Sequence, residues 1–206
     1  MIPADSLLKS TSLQTGAGLP VLDNTPDLRL RYGRVHEACG TARHRFALWI
    51  VAQTSGPVLW IGPAWGTDRL NACGLAEVID PARLVFVSPR RAEDVLWSME
   101  ESLRSGAVAL AVGDVPGLPG LTHVRRMHLA AETGGQGRRA APIGLLLTPG
   151  QGGAQGVESR WSLDPAHGPK GTAWQLERLR ARTAPRKSWR IAHRPDTTGP
   201  RLESAA

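Results

Sequence analysis

The chain has 206 residues, enough for one domain with a sizeable core and a tail. Lysine and arginine number 25 against 18 acids, and the net charge of +7 favours nucleic acid or an acidic protein surface as a partner. A generally basic composition without such a partner explains the same charge. No apolar run reaches the roughly 20 residues of a membrane span, and the N-terminus lacks a signal-peptide pattern. With two cysteines and no disulfide framework, we expect a soluble, cytoplasmic protein without membrane contact.

Apolar patterns along the chain predict strands that alternate with helices. Short apolar runs indicate buried strands, and apolar residues at helical spacing indicate helices with one buried face. An N-terminal arm, residues 1–24, precedes these elements as a short helix or a loose segment. The predicted elements are then strand 35–39, a helix that ends near residue 52, strand 58–62, helix 68–76, strand 84–87, helix 92–104, strand 108–114, helix 122–132 and strand 143–147.

Three more strands follow without helices between them, which indicates antiparallel additions to the sheet. They are predicted at residues 159–163, 174–181 and 188–193, after a glycine-rich loop at 150–156. Strands alternating with helices imply a mainly parallel sheet with both faces covered. We therefore predict an α/β fold with a RecA-like core at 25–165, basic C-terminal strands at 166–194 and a disordered tail at 195–206.

The turn at Gly40, between a predicted strand and a predicted helix, has the position of a phosphate-binding loop. A working loop reads G-x-x-x-x-G-K-[ST], because its backbone N–H groups, lysine and hydroxyl bind the phosphates and magnesium. After Gly40 the chain reads Thr-Ala-Arg-His-Arg-Phe, with no second glycine and no lysine followed by a hydroxyl residue. The remnant consists of Gly40, Thr41 and Arg43, with Asp114 as the magnesium-side acid. We predict a degenerate nucleotide site, no cofactor and no catalytic residue.

The other titratable residues show no catalytic or metal-binding pattern. His36 and Glu37 are adjacent in a predicted strand and point to opposite faces, so they do not share a metal. We expect His36 to be a core histidine bonded to the backbone. No nucleophile elbow accompanies the histidines and acids. The sequence therefore predicts a protein that is not an enzyme and has no metal site.

The C-terminal strands carry an excess of positive charge. Arg178, Arg180 and Arg182 alternate along a predicted strand, which would place all three on one face. Such a row can contact phosphates or an acidic partner; alternatively it is a solvated edge whose charges discourage aggregation. Tryptophans 161, 174 and 189 are expected in the core more often than as stacking platforms. The predicted partner-binding residues are Arg178, Arg180, Arg182, Lys187, Trp189 and Arg190.

Several stretches resemble known proteins. Residues 33–40 and 84–114 resemble the phosphate-loop strand and the following strand–helix–strand block of the RecA core. Residues 96–107 (LWSMEESLRSGA) with 121–132 (LTHVRRMHLAAE), and residues 174–182 (WQLERLRAR) with Ser188-Trp189 behind them, are similar to the ImuA family of inducible-mutagenesis proteins. In RecA the catalytic glutamate follows the second strand, where the resemblance places Ala64 here.

The resemblance implies a non-catalytic RecA-like accessory of SOS-induced, error-prone translesion DNA synthesis. Its implied partner is an ImuB-like Y-family polymerase homologue, with RecA and an error-prone replicative-type polymerase as further candidates. RecA binds DNA through two loops that correspond here to short segments, 116–120 and 148–156, so we expect DNA contact to be indirect or weak. The alternative within the same superfamily is a SulA-like cell-division inhibitor that acts on the division GTPase. A residual ATPase and a plain DNA-binding protein remain further hypotheses.

Overall fold

A computed structural model describes residues 18–22, 25, 27–66, 70–169, 171–193 and 201–202. The helices are α1 (Arg43–Ala52), α2 (Ala72–Ala76), α3 (Ala92–Ser105) and α4 (Leu121–Gly134). The strands are β1 (Gly18–Pro20), β2 (Arg29–Arg31), β3 (Val35–Cys39), β4 (Val58–Ile61), β5 (Leu84–Val87), β6 (Leu110–Asp114), β7 (Ile143–Leu147), β8 (Ser159–Pro165), β9 (Thr172–Ala181), β10 (Lys187–His193) and β11 (Arg201–Leu202).

In the described part of the chain, nine of these strands form one mixed sheet in the order β11-β10-β9-β8-β3-β7-β6-β4-β5. The strands from β8 to β5 in this order pair in parallel, whereas β9, β10 and β11 add antiparallel to β8. This arrangement confirms the predicted α/β class, the mainly parallel sheet flanked by helices and the antiparallel C-terminal strands. The strands predicted at 166–194 continue the sheet of the core, because β9 pairs with β8 along its length.

Helices cover both faces of the sheet. On one face, α1 and the β1–β2 hairpin bury Phe46, Trp49 and Ile50 against alternate strand residues such as Ala38. On the other face, α3 and α4 bury Met99, Leu103 and Met127. Because neighbouring residues of a strand point to opposite faces, β3 contributes Ala38 to the first core and Val35 to the second. Parallel strands buried on both faces explain the continuous apolar runs in the sequence.

The ends of the chain and one helix differ from the predictions. Gly18–Pro20 forms β1 of a two-stranded sheet with β2; the remainder of the arm predicted at 1–24, except Val21 and Leu22, lies outside the described residues. The helix predicted at 68–76 begins at Ala72, after an N-cap at Asn71, and residues 67–69 lie outside the described residues. Arg201–Leu202 pairs with β10, and the other residues of the predicted tail lie outside the description.

None of the helices in these ranges is long and apolar enough to cross a membrane.

Candidate functional site

The turn between β3 and α1 directs its backbone N–H groups at acceptors within the protein. These bonds run from Gly40 to the Gly150 carbonyl at 3.1 Å, from Thr41 to the Asp164 carboxylate at 2.9 Å and from Ala42 to the Leu163 carbonyl at 2.9 Å. Glycine is required at position 40 because φ is +84° and a Cβ would lie 2.6 Å from the Leu163 oxygen. In a phosphate-binding loop, such amides surround phosphate oxygens. Here they are bonded to the chain itself.

Asp164, at the end of β8, supplies the negative charge at this turn. Its carboxylate accepts bonds from the Thr41 N–H and hydroxyl and from the Ser162 hydroxyl, each at 2.9 Å. Burial alone would raise the pKa of Asp164, but these three hydrogen bonds outweigh burial and lower the pKa below its ordinary value. An ionised carboxylate therefore lies at the N-terminal end of α1, where the helix dipole favours negative charge.

Asp114, at the carboxyl end of β6, is bonded to the first turn of α1. Its Oδ2 lies 2.7 Å from Nε2 of His44, and the imidazole stacks on Trp60 with 6.2 Å between the ring centroids. The structure therefore divides the predicted remnant site in two. Gly40 and Thr41 meet Asp164, whereas Arg43 and Asp114 line a separate cleft. Sequence reasoning missed both Asp164 and His44, because their partners are distant in the chain. Asp164 lies 123 residues from Thr41, and His44 lies 70 residues from Asp114.

The cleft opens at the carboxyl ends of β4, β5 and β6 and has a volume of about 510 Å³. Ligands of open α/β sheets bind at this edge of the sheet. Arg43 and Asp114 contribute polar side chains to it. Its apolar lining includes Trp60, Pro63, Trp65, Phe86, Pro116 and Pro149. Walls of this composition suit an apolar side chain better than a triphosphate.

The apolar surface continues from the cleft onto the edge of the sheet. Strand β5 is the last strand of the sheet on this side. Val85 is 48% exposed and Phe86 56% exposed, and Trp65 in the nearby β4–α2 connection is 51% exposed. An edge strand with exposed apolar side chains is a template for pairing with another chain.

The buried polar residues of β3 hold loops rather than ligands. The Glu37 carboxylate accepts from the Thr148 hydroxyl and the Gly153 N–H, both at 2.7 Å, and forms an ion pair with Arg160. On the opposite face, His36 contacts the Arg31 carbonyl at 3.0 Å and the Ser159 hydroxyl at 2.7 Å. The prediction of a core histidine bonded to the backbone is confirmed.

Cys39 ends the same strand and is buried. Burial, assisted by the nearby Glu37 charge, raises the pKa of the Cys39 thiol to about 11. The thiol is therefore protonated at neutral pH, unlike the thiolate that nucleophilic chemistry requires.

The prediction that Arg178 shares one face with Arg180 and Arg182 is wrong. A bulge in β9 pairs Arg180 with Arg160 but Arg178 with Trp161, and these two β8 residues point to opposite faces. Arg178 is only 7% exposed, and its guanidinium lies 5.7 Å from the ring centroid of Trp161 and 5.2 Å from that of Trp189. Its N–H groups donate to backbone carbonyls of Asp27 and Pro185. Arg178 is therefore a core residue.

The remaining residues predicted to bind a partner lie nearer the surface than Arg178, and they occupy both faces of the sheet. Lys187 is opposite Arg178 in the β9–β10 register and contacts Trp189, which is partly buried. Arg180, Arg182 and Arg190 are exposed. Trp161 and Trp174 are buried, in agreement with the expected core positions.

Comparison with known proteins finds a similarity among the solved structures. No protein-family model matches the chain, and no curated protein matches it. Among solved structures, the chain is similar to SulA from Pseudomonas aeruginosa, with 17% sequence identity and a TM-score of 0.45. That match covers 56% of this chain and 98% of the SulA chain.

Proposed function

We propose that the chain is a non-catalytic accessory protein of SOS-induced, error-prone translesion DNA synthesis that acts by binding other proteins. The observation that carries the non-catalytic part is the bonding of the Gly40, Thr41 and Ala42 amides to acceptors of the chain, with the Asp164 carboxylate at the helix N-terminus. A phosphate at this position would meet a carboxylate in place of a lysine. The assignment to translesion synthesis rests on the resemblance to the ImuA family.

The partner implied by this resemblance is an ImuB-like Y-family polymerase homologue, with RecA and an error-prone replicative-type polymerase as further partners. The cleft and the adjoining edge strand, with Trp65, Val85 and Phe86 exposed, support an apolar docking surface. An extended partner segment can pair with the β5 backbone and place an apolar side chain in the cleft. Lys187, Trp189 and Arg190 form a second, C-terminal contact in this proposal.

The absence of nucleotide chemistry is tested by titrating fluorescent ATP, with magnesium, into the purified chain. We expect no saturable binding at millimolar concentration. The Asp164→Ala variant removes the internal carboxylate and should also fail to bind, because the lysine that contacts the β/γ phosphates is still missing. Saturable binding by the wild-type chain would contradict the proposal. Binding by the variant alone would show that Asp164, rather than the missing lysine, blocks the site.

The protein contact is tested by capture of the purified ImuB-like partner. Phe86→Lys should weaken capture at least about tenfold, because it places a charge at the apolar edge. Trp97→Lys is the matched control, since Trp97 on α3 is 60% exposed but lies outside the cleft. Lys187→Glu with Arg190→Glu tests the C-terminal contact separately. Failure of the wild-type chain to capture the partner, with filamentous cells on overproduction, would favour the division-inhibitor alternative instead.

A further inference from the structure

Three arginines from separate segments converge on one buried carboxylate. The Glu158 side chain, at the start of β8, lies 3.6 Å from Arg31, 3.8 Å from Arg34 and 3.5 Å from Arg182. Glu158 is 5% exposed, whereas the side chains of Arg31 and Arg182 are 41% and 58% exposed. One buried negative charge thus orients three guanidinium groups. Those of Arg31 and Arg182 remain accessible, whereas Arg34 is 21% exposed and also pairs with Glu132. Such an arrangement is pre-organised for a further anion.

More arginines lie at the same end of the parallel strands as this group. The Arg182 N–H donates to the Glu158 carbonyl, and β9 pairs Arg180 with Arg160, so Arg180 and Arg182 share a face. The connection between α4 and β7 carries exposed Arg138 and Arg139 at this end of the strands, where Arg138 lies against Gly106. The Pro142 carbonyl of the same connection accepts from the Gly33 N–H beside Arg34. We define the arginine patch as Arg31, Arg34, Arg138, Arg139, Arg180 and Arg182.

The patch is strongly positive. The acids that contact it are the buried Glu158 and Glu132, which pairs with Arg34. Arg180 makes no ion pair within the described part of the chain, and Arg182 pairs only with Glu158 there. All its cations are arginines, whose planar guanidinium groups bind phosphate in bidentate fashion.

The composition of the patch fits nucleic acid better than an acidic protein. Protein interfaces have a desolvated core from which charged residues are depleted, whereas nucleic-acid interfaces are polar and strongly positive. The segments that supply the patch, 29–34, 136–142 and 178–182, contain none of the large exposed apolar side chains of the described residues. Those are Trp65, Val85, Phe86, Trp97, Leu118, Leu121, Leu129 and Leu202.

The patch lies at the amino ends of the parallel strands, whereas the cleft lies at their carboxyl ends. Arg34 precedes β3, whereas the Gly40 turn follows it, and Glu158 precedes β8, whereas Asp164 lies near its end. We propose that the arginine patch binds the phosphate backbone of nucleic acid without sequence readout. This site goes beyond the proposed docking function and does not depend on it. Being remote from the cleft, it leaves that surface accessible while nucleic acid is bound.

The test is fluorescence anisotropy of a labelled 30-nucleotide oligothymidine, and of a duplex of equal length, with the full chain and no partner protein. We expect the dissociation constant to rise steeply with salt, because arginines displace condensed counterions. The two nucleic acids distinguish a single-stranded from a double-stranded source of the phosphates. Arg180→Gln with Arg139→Gln, which leaves the Glu158 cluster intact, should weaken binding about tenfold and lower the log–log salt slope by about 2.

A matched variant separates the patch from general charge. Arg90→Gln with Arg91→Gln removes the same charge from exposed positions that follow β5, at the carboxyl ends of the parallel strands. This variant should leave the dissociation constant and the salt slope within about twofold of the wild-type values. Arg182→Lys keeps the charge of a patch residue and should weaken binding less than Arg182→Gln. Equal losses in patch and control variants, or no binding by the wild-type chain at low salt, would overturn the proposal. These outcomes are independent of partner capture.

Discussion

Three polar residues near β3, namely His36, Glu37 and Asp164, fix the loops at its two ends. Glu37 is fully buried and bonds the loop after β7, while Asp164 bonds the turn before α1. His36 connects β8 to the end of β2 through Ser159 and the Arg31 carbonyl. Buried polar groups that are fully bonded specify one arrangement, because an unbonded alternative leaves them desolvated without compensation. The charge state of His36 therefore affects the stability of the protein.

Stability should fall with acidification through His36. Burial lowers the pKa of His36 from the ordinary 6.5 to about 4, so the unfolded chain takes up a proton at higher pH than the folded chain. The contribution of His36 is at its full value above pH 6.5 and is lost progressively as the pH falls towards about 4. The loss can reach about 3 kcal/mol. Urea unfolding at about pH 7.5 and about pH 4 measures it.

The control for this prediction is His36→Gln, which retains hydrogen-bonding groups but does not titrate. The variant should be less stable at neutral pH yet show a shallower dependence on pH. Burial also lowers the pKa of His128, so His128→Gln should flatten the same region by a smaller amount. An unchanged pH dependence in His36→Gln would show that His36 is not a source of acid sensitivity.

The bulge in β9 determines the roles of neighbouring arginines. Leu179 is the extra residue of the bulge. On one side of it Arg178 pairs with Trp161, and on the other side Arg180 pairs with Arg160. Arg178 consequently lies between two tryptophans and donates hydrogen bonds to the backbone carbonyls of Asp27 and Pro185. Arg180 lies on the opposite face of the sheet. An unbroken strand would have placed both on the same side.

Arg178→Ala and Arg180→Ala should therefore have very different effects. Loss of Arg178 removes two charge-assisted hydrogen bonds and two cation–π contacts, and we expect it to lower the free energy of unfolding by about 2–4 kcal/mol. Loss of Arg180 should change it by less than about 0.5 kcal/mol, as for most exposed substitutions. Denaturant midpoints of the two variants at equal m-values give the comparison. Similar losses in both would contradict the observed register.

The molecule as a whole presents different chemistry at the two edges of its parallel strands. The carboxyl edge has an apolar cleft that continues onto β5, and the amino edge has the arginine patch. On the two proposals made above, one molecule would hold an apolar protein segment and a phosphate backbone at once. Because the apolar surface continues onto β5, this edge strand is accessible when no partner is present.

We expect the isolated chain to self-associate through β5. An exposed apolar edge strand pairs with another chain unless a charge interrupts it, so Val85→Lys should lower the average mass at high concentration. Leu129→Lys is the control, because Leu129 is 55% exposed on α4, away from the edge. Size-exclusion chromatography with light scattering over a range of about 10–200 μM gives the masses. A wild-type chain that stays monomeric throughout would contradict this expectation.

The sequence was sufficient for the α/β class, for most helices and strands, and for the absence of a phosphate-binding lysine after Gly40. Buried strands such as Val58–Ile61 and Ile143–Leu147 appear as continuous apolar runs, and α3 shows a clear helical period. These signals are local, because each depends on how a short segment exposes or buries its own side chains.

The candidate sites depended on tertiary structure. Asp164 reaches Thr41 from 123 residues away, and Arg31, Arg34 and Arg182 meet only because β2, β3 and β9 converge on Glu158. No periodicity in the sequence predicts the bulge at Leu179, and because of this bulge Arg178 lies in the core and not on the predicted surface. Local patterns predict which residues are buried, but strand register and contacts between distant segments are selected by the packing of the whole sheet.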